Sequence, residues 1–238
     1  MSFTTVVFDL DGTLLPMDQE VFTQSYFSHL CAALAPHGYD PHQLTKAVWA
    51  GTRAMVCNDG QATNETVFWK KFAEIFGDRV YRDIPYFDAF YQDGFSRIRS
   101  SCGYHPKAAS TVRAIKAAGL RVAVATNPIF PKNATASRIR WAGLEPSEFA
   151  FFTTYENSCF CKPNPAYYRE ILTRLGEPAQ ACLMVGNDVR EDMVAQSLGM
   201  GVFLLTDCLL NKDNADISAY PRGSFDDLLH YLNIPQNP

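Results

Sequence analysis

The stretch VVFDLDGTLL, residues 6–15, decides the fold of this 238-residue chain. In it an apolar run ends at Asp9 and Asp11, and Gly12 and Thr13 follow directly. Apolar runs without polar alternation are typical of strands buried on both faces of a parallel sheet. Ligands of such open sheets bind at the carboxyl ends of the strands. The two aspartates are therefore predicted to lie where a ligand binds.

Two carboxylates so close in sequence repel each other unless a cation or a proton lies between them. Mg²⁺ is the cation that this chemistry favours, because it takes oxygen ligands and keeps several waters for substrate phosphates. Asp-Gly is also common in turns, so a plain polar loop is the alternative interpretation of this motif taken alone.

Five apolar runs in the chain predict buried strands. Helix-like stretches follow four of them, and this alternation predicts an α/β fold, a Rossmann-like parallel sheet with helices on both faces. The predicted strands cover 4–8, 121–125, 149–153, 182–185 and 201–205, and the predicted helices of this core cover 106–119, 131–142, 165–176, 189–198 and 224–232.

The interval between the first strand and the helix at residue 106 breaks this alternation. It is about 90 residues long and contains no convincing strand, far too long for a simple connection. Its apolar periodicity predicts helices instead, at 19–35, 40–56, 64–76 and 84–100. We therefore predict a discontinuous α/β core of residues 1–15 and 106–238, with an inserted all-α helical cap domain at 16–105.

Polar residues also follow three other predicted strands. Thr126 and Asn127 follow the second, Lys162 follows the third, and Asp188 and Asp192 follow the fourth. Each has a plainer interpretation as a turn residue, a solvated lysine or an acid at a helix N-terminus. Because the carboxyl ends of parallel strands meet at one sheet edge, we expect all of them to converge with the two N-terminal aspartates.

These segments, in this order, resemble the four motifs of the haloacid dehalogenase superfamily, most of whose members are phosphohydrolases. The motifs are DLDGT at 9–13, Thr126, Lys162 and the acidic segment GNDVRED at 186–192. The resemblance spans about residues 2–205, and it implies that the helical insertion is a type 1 cap.

The resemblance also implies roles for individual residues. Asp9 would be the nucleophile that forms an aspartyl phosphate, and Asp11 would protonate the leaving group and then activate water. Mg²⁺ would be held by Asp9, the Asp11 carbonyl and Asp188, with Asn187 as a further oxygen ligand. The implied phosphate-binding positions are Leu10, Asp11, Thr126, Asn127 and Lys162.

The fourth motif leaves its metal ligand open. In the family the metal-binding Asp commonly follows Gly directly, whereas here Asn187 stands between Gly186 and Asp188. The spacing to Asp192 favours Asp188, and a carboxylate is the better Mg²⁺ ligand. Alignment on the glycine favours Asn187 instead.

The predicted function is that of a Mg²⁺-dependent phosphatase that hydrolyses a small phosphorylated metabolite. The resemblance implies that Asp11 argues against dehalogenation, because the dehalogenases of this superfamily lack an acid at that position, where a leaving halide needs no proton. The alternatives are a phosphosugar mutase of the same superfamily and, more remotely, a receiver-type phospho-acceptor module.

The predicted cap holds the candidate substrate contacts. Arg53 is the foremost candidate, since its planar guanidinium group can donate two parallel hydrogen bonds to a carboxylate or a second phosphate. Trp49, Met55, Trp69 and Lys70 are chemically able to contact a small polar ligand, although helical stripes commonly bury aromatic residues as core.

Composition excludes several other classes. Lys and Arg (21) nearly balance Asp and Glu (25), which gives a net charge of −4. The sequence shows no excess of basic residues of the kind that binds the phosphates of nucleic acid. No apolar run reaches the roughly 18 residues of a membrane span, and the N-terminus lacks the basic region of a signal peptide. Seven cysteines, an odd number, indicate reduced thiols and a cytoplasmic protein. The oligomeric state stays open, and a monomer is compatible with the sequence.

Overall fold

A computed structural model describes residues 3–235. Within them, five parallel strands form one sheet in the order β2-β1-β3-β4-β5. Their bounds are Thr5–Phe8 (β1), Arg121–Val124 (β2), Cys182–Gly186 (β3), Gly201–Leu205 (β4) and Arg222–Gly223 (β5). β1 pairs with a strand on each side, so its carboxyl end lies inside the sheet. The predicted parallel α/β sheet is thus confirmed.

Helices cover both faces of this sheet. The core helices are α5 (Pro106–Ala117), α6 (Lys132–Trp141), α7 (Pro165–Leu175) and α8 (Phe225–Tyr231). Because successive side chains of a strand point to opposite faces, Val6 belongs to the apolar cluster that contains α5 and α8, whereas Val7 belongs to the cluster that contains α7.

The predicted third strand at 149–153 is wrong as a strand. It forms only an isolated bridge, between Val124 and Phe152, on the outer side of β2. The chain follows β2 briefly, with the Thr153 N–H donating to Val124 O at 3.1 Å. It then turns into the loop that carries Lys162. The fifth strand is instead Arg222–Gly223, which is too short to show an apolar run.

The interval between β1 and α5 is helical, as predicted. It contains α1 (Gln19–Leu34), α2 (Pro41–Val56), α3 (Asn64–Phe76) and α4 (Arg79–Gln92), followed by a 3₁₀ segment, Gly94–Ser101. The predicted single helix at 84–100 is therefore divided. A Cβ at position 94 would lie 2.9 Å from the Phe90 ring, so Gly94 allows the 3₁₀ segment to begin there.

The predicted helix at 189–198 is also shorter than expected. Only Met193–Leu198 is helical, as a 3₁₀ segment. The residues before it form a turn in which Asp188 Oδ1 accepts the N–H groups of Arg190 and Glu191 at 2.8 and 2.9 Å. Such side-chain bonds to nearby backbone compete with helix formation.

The chain enters and leaves the helical insertion at adjacent points. Met17 bridges Cys102 in antiparallel fashion, and the Gly103 N–H donates to Pro16 O at 2.8 Å. None of the helices in the described residues is long and apolar enough to cross a membrane.

Candidate active site

Lys162 lies at the centre of the polar cluster at the carboxyl edge of the sheet. Its Nζ lies 2.8 Å from Asp9 Oδ1 and 2.6 Å from Asp192 Oδ1, and the residue is only 2% exposed. Burial by itself lowers the pKa of Lys162, but Asp192 and Asp9 raise it well above its usual value. The lysine therefore stays an ammonium and balances two buried carboxylates.

Asp9 is also held through its other oxygen. The Thr13 hydroxyl lies 2.9 Å from Asp9 Oδ2 and 2.9 Å from Asn187 Oδ1, so its single hydrogen can serve either acceptor. This contact is possible because Gly12 has φ +87° and leaves room for Asn187, whose Nδ2 would lie 2.4 Å from a Cβ at that position. Glycine is the residue that adopts this conformation without strain.

Asp11 pairs with a residue that sequence reasoning missed, Arg138. The guanidinium of Arg138, on α6, donates to Asp11 Oδ2 and is 1% exposed. Burial raises the pKa of Asp11, and Arg138 opposes that rise. The available signal was periodicity, because Arg138 lies with Ala134 and Trp141 on the buried face of its helix.

The loop after β2 brings Thr126 and Asn127 to the same place. The Thr126 hydroxyl lies 3.4 Å from Asp11 Oδ2, and its carbonyl accepts hydroxyl hydrogen bonds from Thr153 and Tyr167, each at 2.7 Å. The convergence expected for these strand ends is therefore present in the structure.

The loop after β3 contributes carboxylates. The Asp188 N–H donates to Asp192 Oδ2 at 3.0 Å, and the Asn127 amide donates to Glu191 Oε2 at 3.3 Å. Burial raises the pKa of Glu191 to about 7 and also raises that of Asp192, where Lys162 opposes the shift. Glu191 was not singled out from the sequence, although it belongs to the acidic segment.

Asn187 and Asp188 occupy different positions. Asn187 is 1% exposed, and its Nδ2 donates to Cys208 O at 2.6 Å, so its Oδ1 is directed to Thr13. Asp188 engages only Oδ1 in hydrogen bonds among the described residues and lines the adjoining cavity.

The donor set fits Mg²⁺ in its chemistry. Residues 3–235 contain no group of three His, Cys, Asp or Glu side chains placed to surround one metal ion. The ligand set that the sequence resemblance implies needs fewer, because a backbone carbonyl and waters would complete it. The cluster holds five carboxylates, those of Asp9, Asp11, Asp188, Glu191 and Asp192, against the two cations Arg138 and Lys162. The buried Asp11 Oδ1 also lacks a hydrogen-bond donor among the described residues. A hard cation would supply the missing positive charge.

A cavity of about 280 Å³ connects these carboxylates with the helical insertion. Of the candidate substrate contacts, Trp49 and Trp69 line it, but Arg53, Met55 and Lys70 do not. Arg53 and Lys70 are exposed, and Met55 is buried in a small cluster with Tyr155. Leu10 is fully buried in the apolar core, so it can reach a ligand only through its backbone.

Comparison with known proteins agrees with this fold. The chain is 26% identical over 192 residues to a phosphoglycolate phosphatase of Agrobacterium fabrum, which covers 80% of this chain and 75% of the relative. Its fold is similar to that of a 2-haloacid dehalogenase from Pseudomonas syringae pv. Tomato DC3000, with TM-score 0.64 and 22% identity, covering 97% and 98% of the two chains. It is also similar to that of a predicted phosphoglycolate phosphatase from Haemophilus somnus 129pt, with TM-score 0.58, 20% identity and the same coverages.

The fold and the acidic edge define an α/β hydrolytic enzyme. The family model of the haloacid dehalogenase-like hydrolases matches residues 3–198, and the chain belongs to that family.

Proposed function

We propose that this hydrolase cleaves phosphate monoesters of small molecules in a Mg²⁺-dependent reaction. The observation that carries the proposal is the placement of Asp9 beside Lys162, with Asp11 two residues further along the same strand end. The phosphoglycolate phosphatase relative supports the reaction class, because its named substrate is a phosphate monoester.

In the proposed reaction, Asp9 attacks phosphorus and the ester oxygen leaves. A carboxylate suits this step because it is ionised at neutral pH, and the acyl phosphate that it forms is readily hydrolysed. Asp11 donates a proton to the leaving oxygen and then accepts one from the water that cleaves the aspartyl phosphate. One residue serves both steps because they run in opposite directions.

The neighbouring groups bind and orient the phosphoryl oxygens. Thr126, the Asn127 backbone N–H and the Lys162 ammonium are the proposed donors, and Lys162 also neutralises Asp9. Mg²⁺, when bound, would supply positive charge that lowers the repulsion of the anionic phosphate by the carboxylates. Its proposed ligands are Asp9, the Asp11 carbonyl and Asp188, with Asn187 as the alternative to Asp188.

The helical insertion is proposed to act as a cap. Residues 16–105 contribute most of the apolar side of the cavity, and closure over the site would exclude water from the reacting atoms. We further propose a cytoplasmic location, which the seven cysteines support, since all of them are unpaired.

The proposal is tested by measuring inorganic phosphate release from a generic aryl phosphate with and without Mg²⁺. Release is expected to need Mg²⁺ and to equal the loss of ester even when a sugar phosphate is added as an acceptor, which separates hydrolysis from transfer of the phosphoryl group to a sugar. Asp9→Asn is expected to abolish turnover, whereas the matched surface variant Asp213→Asn is expected to keep it. An active Asp9→Asn enzyme, or activity that survives a chelator, would contradict the proposal.

A further inference from the structure

The cavity wall that faces the carboxylates is built mainly from aromatic side chains. Phe22, Tyr26, Phe68, Trp69, Phe87 and Tyr91 line it, all from the helical insertion. Most are nearly buried, with Trp69 5% and Phe87 4% exposed. Such a wall stabilises apolar groups by removing them from water.

The charges of the lining are all negative. Its carboxylates belong to the catalytic cluster, and no Lys, Arg or His lines the cavity in residues 3–235. The nearby cations Arg138 and Lys162 pair with Asp11 and with Asp9 and Asp192, and Lys162 is the proposed donor to the reacting phosphoryl group, so neither is available to the organic part of a substrate. A substrate that carried a carboxylate or a second phosphate on its organic part would therefore bury that charge without a partner, which is strongly unfavourable.

The polar groups of the aromatic wall are neutral. The Tyr26 and Tyr91 hydroxyls bond to each other at 2.7 Å. The buried Trp69 Nε1–H has no acceptor in hydrogen-bonding geometry among the described residues. Burial raises the pKa of Tyr155, and the nearby Trp69 indole opposes this rise, so these two polar groups lie close to each other. Neither group offers a charge that could pair with a carboxylate or a phosphate of the substrate.

On the basis of the proposed phosphatase activity, we infer that the substrate is the phosphate monoester of a small, uncharged and predominantly apolar alcohol, of which an aromatic alcohol fits best. The cavity is at the lower end of the volumes typical of ligand pockets, about 300 Å³, which restricts the organic group to a small one. Phosphoglycolate, the substrate in the name of the Agrobacterium relative, lies outside this class because it carries a carboxylate.

The inference is tested by comparing kcat/KM for benzyl phosphate and 4-carboxybenzyl phosphate, which differ in one charge at the far end of the ring. We expect benzyl phosphate to be favoured at least about tenfold, and to be favoured over phosphoglycolate as well. Equal rates, or a preference for either carboxylated ester, would overturn the inference and leave the proposed phosphatase activity standing. Hydrolysis of glycerol 3-phosphate, the monoester of an uncharged but polar alcohol, without hydrolysis of benzyl phosphate would do the same. If none of the four compounds is hydrolysed, the proposed function itself is overturned.

A charge added to the wall provides a second measurement. Thr52 is half-buried on α2 and lines the cavity, whereas Gln43 is exposed on the same helix and does not. Thr52→Arg is expected to shift the ratio of the two kcat/KM values toward 4-carboxybenzyl phosphate by about tenfold or more. Gln43→Arg is expected to leave the ratio unchanged. A folded Thr52→Arg variant with the original ratio would contradict the inference, and the substrate comparison on the unaltered enzyme does not depend on this variant folding.

Discussion

Arg138 and Asp11 form an ion pair that joins helix α6 to the end of the central strand β1. The arginine is 1% exposed, its guanidinium lies 4.6 Å from the centre of the Phe130 ring, and it also donates to the Thr135 hydroxyl at 3.3 Å. The proposed acid and base of the reaction is therefore held by a residue that itself has little freedom to move.

Arg138→Met should lower both stability and activity. Removal of one partner leaves a buried carboxylate uncompensated, which costs about 3 kcal/mol of unfolding free energy. Because Arg138 opposes the rise of the Asp11 pKa, its loss should move the pH dependence of kcat/KM to higher pH. Urea denaturation and a pH–rate profile measure the two effects. Arg140→Met, on the exposed side of the same helix, should change stability by less than about 0.5 kcal/mol. An unchanged pH profile in Arg138→Met would refute the coupling to Asp11.

Lys162→Met should destabilise the protein in a pH-dependent way. The change leaves Asp9 and Asp192 buried without their ammonium, at a cost of about 3–5 kcal/mol. The pKa of Asp192, which burial already raises, should rise further. The folded variant then binds protons that the unfolded chain has released, so its stability should fall as the pH rises from 5 to 8. Urea denaturation across this range is the measurement, with Lys132→Met as the exposed control. A pH-independent loss would contradict the assignment.

The two candidate ligands of the fourth motif can be separated by a Mg²⁺ titration of activity. Asp188→Ala removes a carboxylate on the cavity wall, and it should raise the Mg²⁺ concentration needed for half-maximal activity more than Asn187→Ala does. Asn187→Ala removes an amide bonded to Thr13 and to Cys208 O, so its main effect should be on stability. The reverse ranking in the titration would assign the metal to Asn187.

Asn64 links the helical insertion to two loops of the candidate active site. It is fully buried, and its side chain donates to Pro128 O at 3.1 Å and contacts Cys161 Sγ at 3.4 Å. These two residues adjoin Asn127 and Lys162 in the sequence. Asn64→Ala should cost about 1–3 kcal/mol in urea denaturation. It should also lower kcat/KM roughly tenfold, because the loops that carry Asn127 and Lys162 would no longer be held in place by this side chain. Asn133→Ala, at an exposed position, should do neither. Normal activity in a destabilised Asn64→Ala variant would limit this residue to a structural role.

Sequence patterns predict the parts of this molecule that depend on local order along the chain. Apolar runs predict four of the sheet strands, and side chains that directly follow a strand, such as Asp9 and Thr126, reach the common edge. Lys162 is also predictable, although its loop starts from a segment that makes only one bridge with β2.

Sequence patterns do not predict which side chains of a helix face the cavity, because this depends on how the helix is rotated about its axis. Thr52 and Arg53 are neighbours on α2, yet Thr52 lines the cavity and Arg53 is exposed. Successive residues of a helix point about 100° apart, so an error of one residue moves a side chain away from the site. Arg138 was missed for a related reason, because its ion pair joins positions 127 residues apart in the chain.

The bridge between Met17 and Cys102 brings the two ends of the helical insertion together, so the insertion can be exchanged as one unit. The chain leaves the sheet domain and returns to it at one point. A chimera with a different insertion between residues 17 and 102 therefore retains the sequence of all five strands and of the acidic segments that follow them. Such an exchange would have to carry Asn64, or an equivalent contact with the core loops. If the proposed cap selects the substrate, exchange at this junction changes selectivity and leaves the acidic edge of the sheet in place.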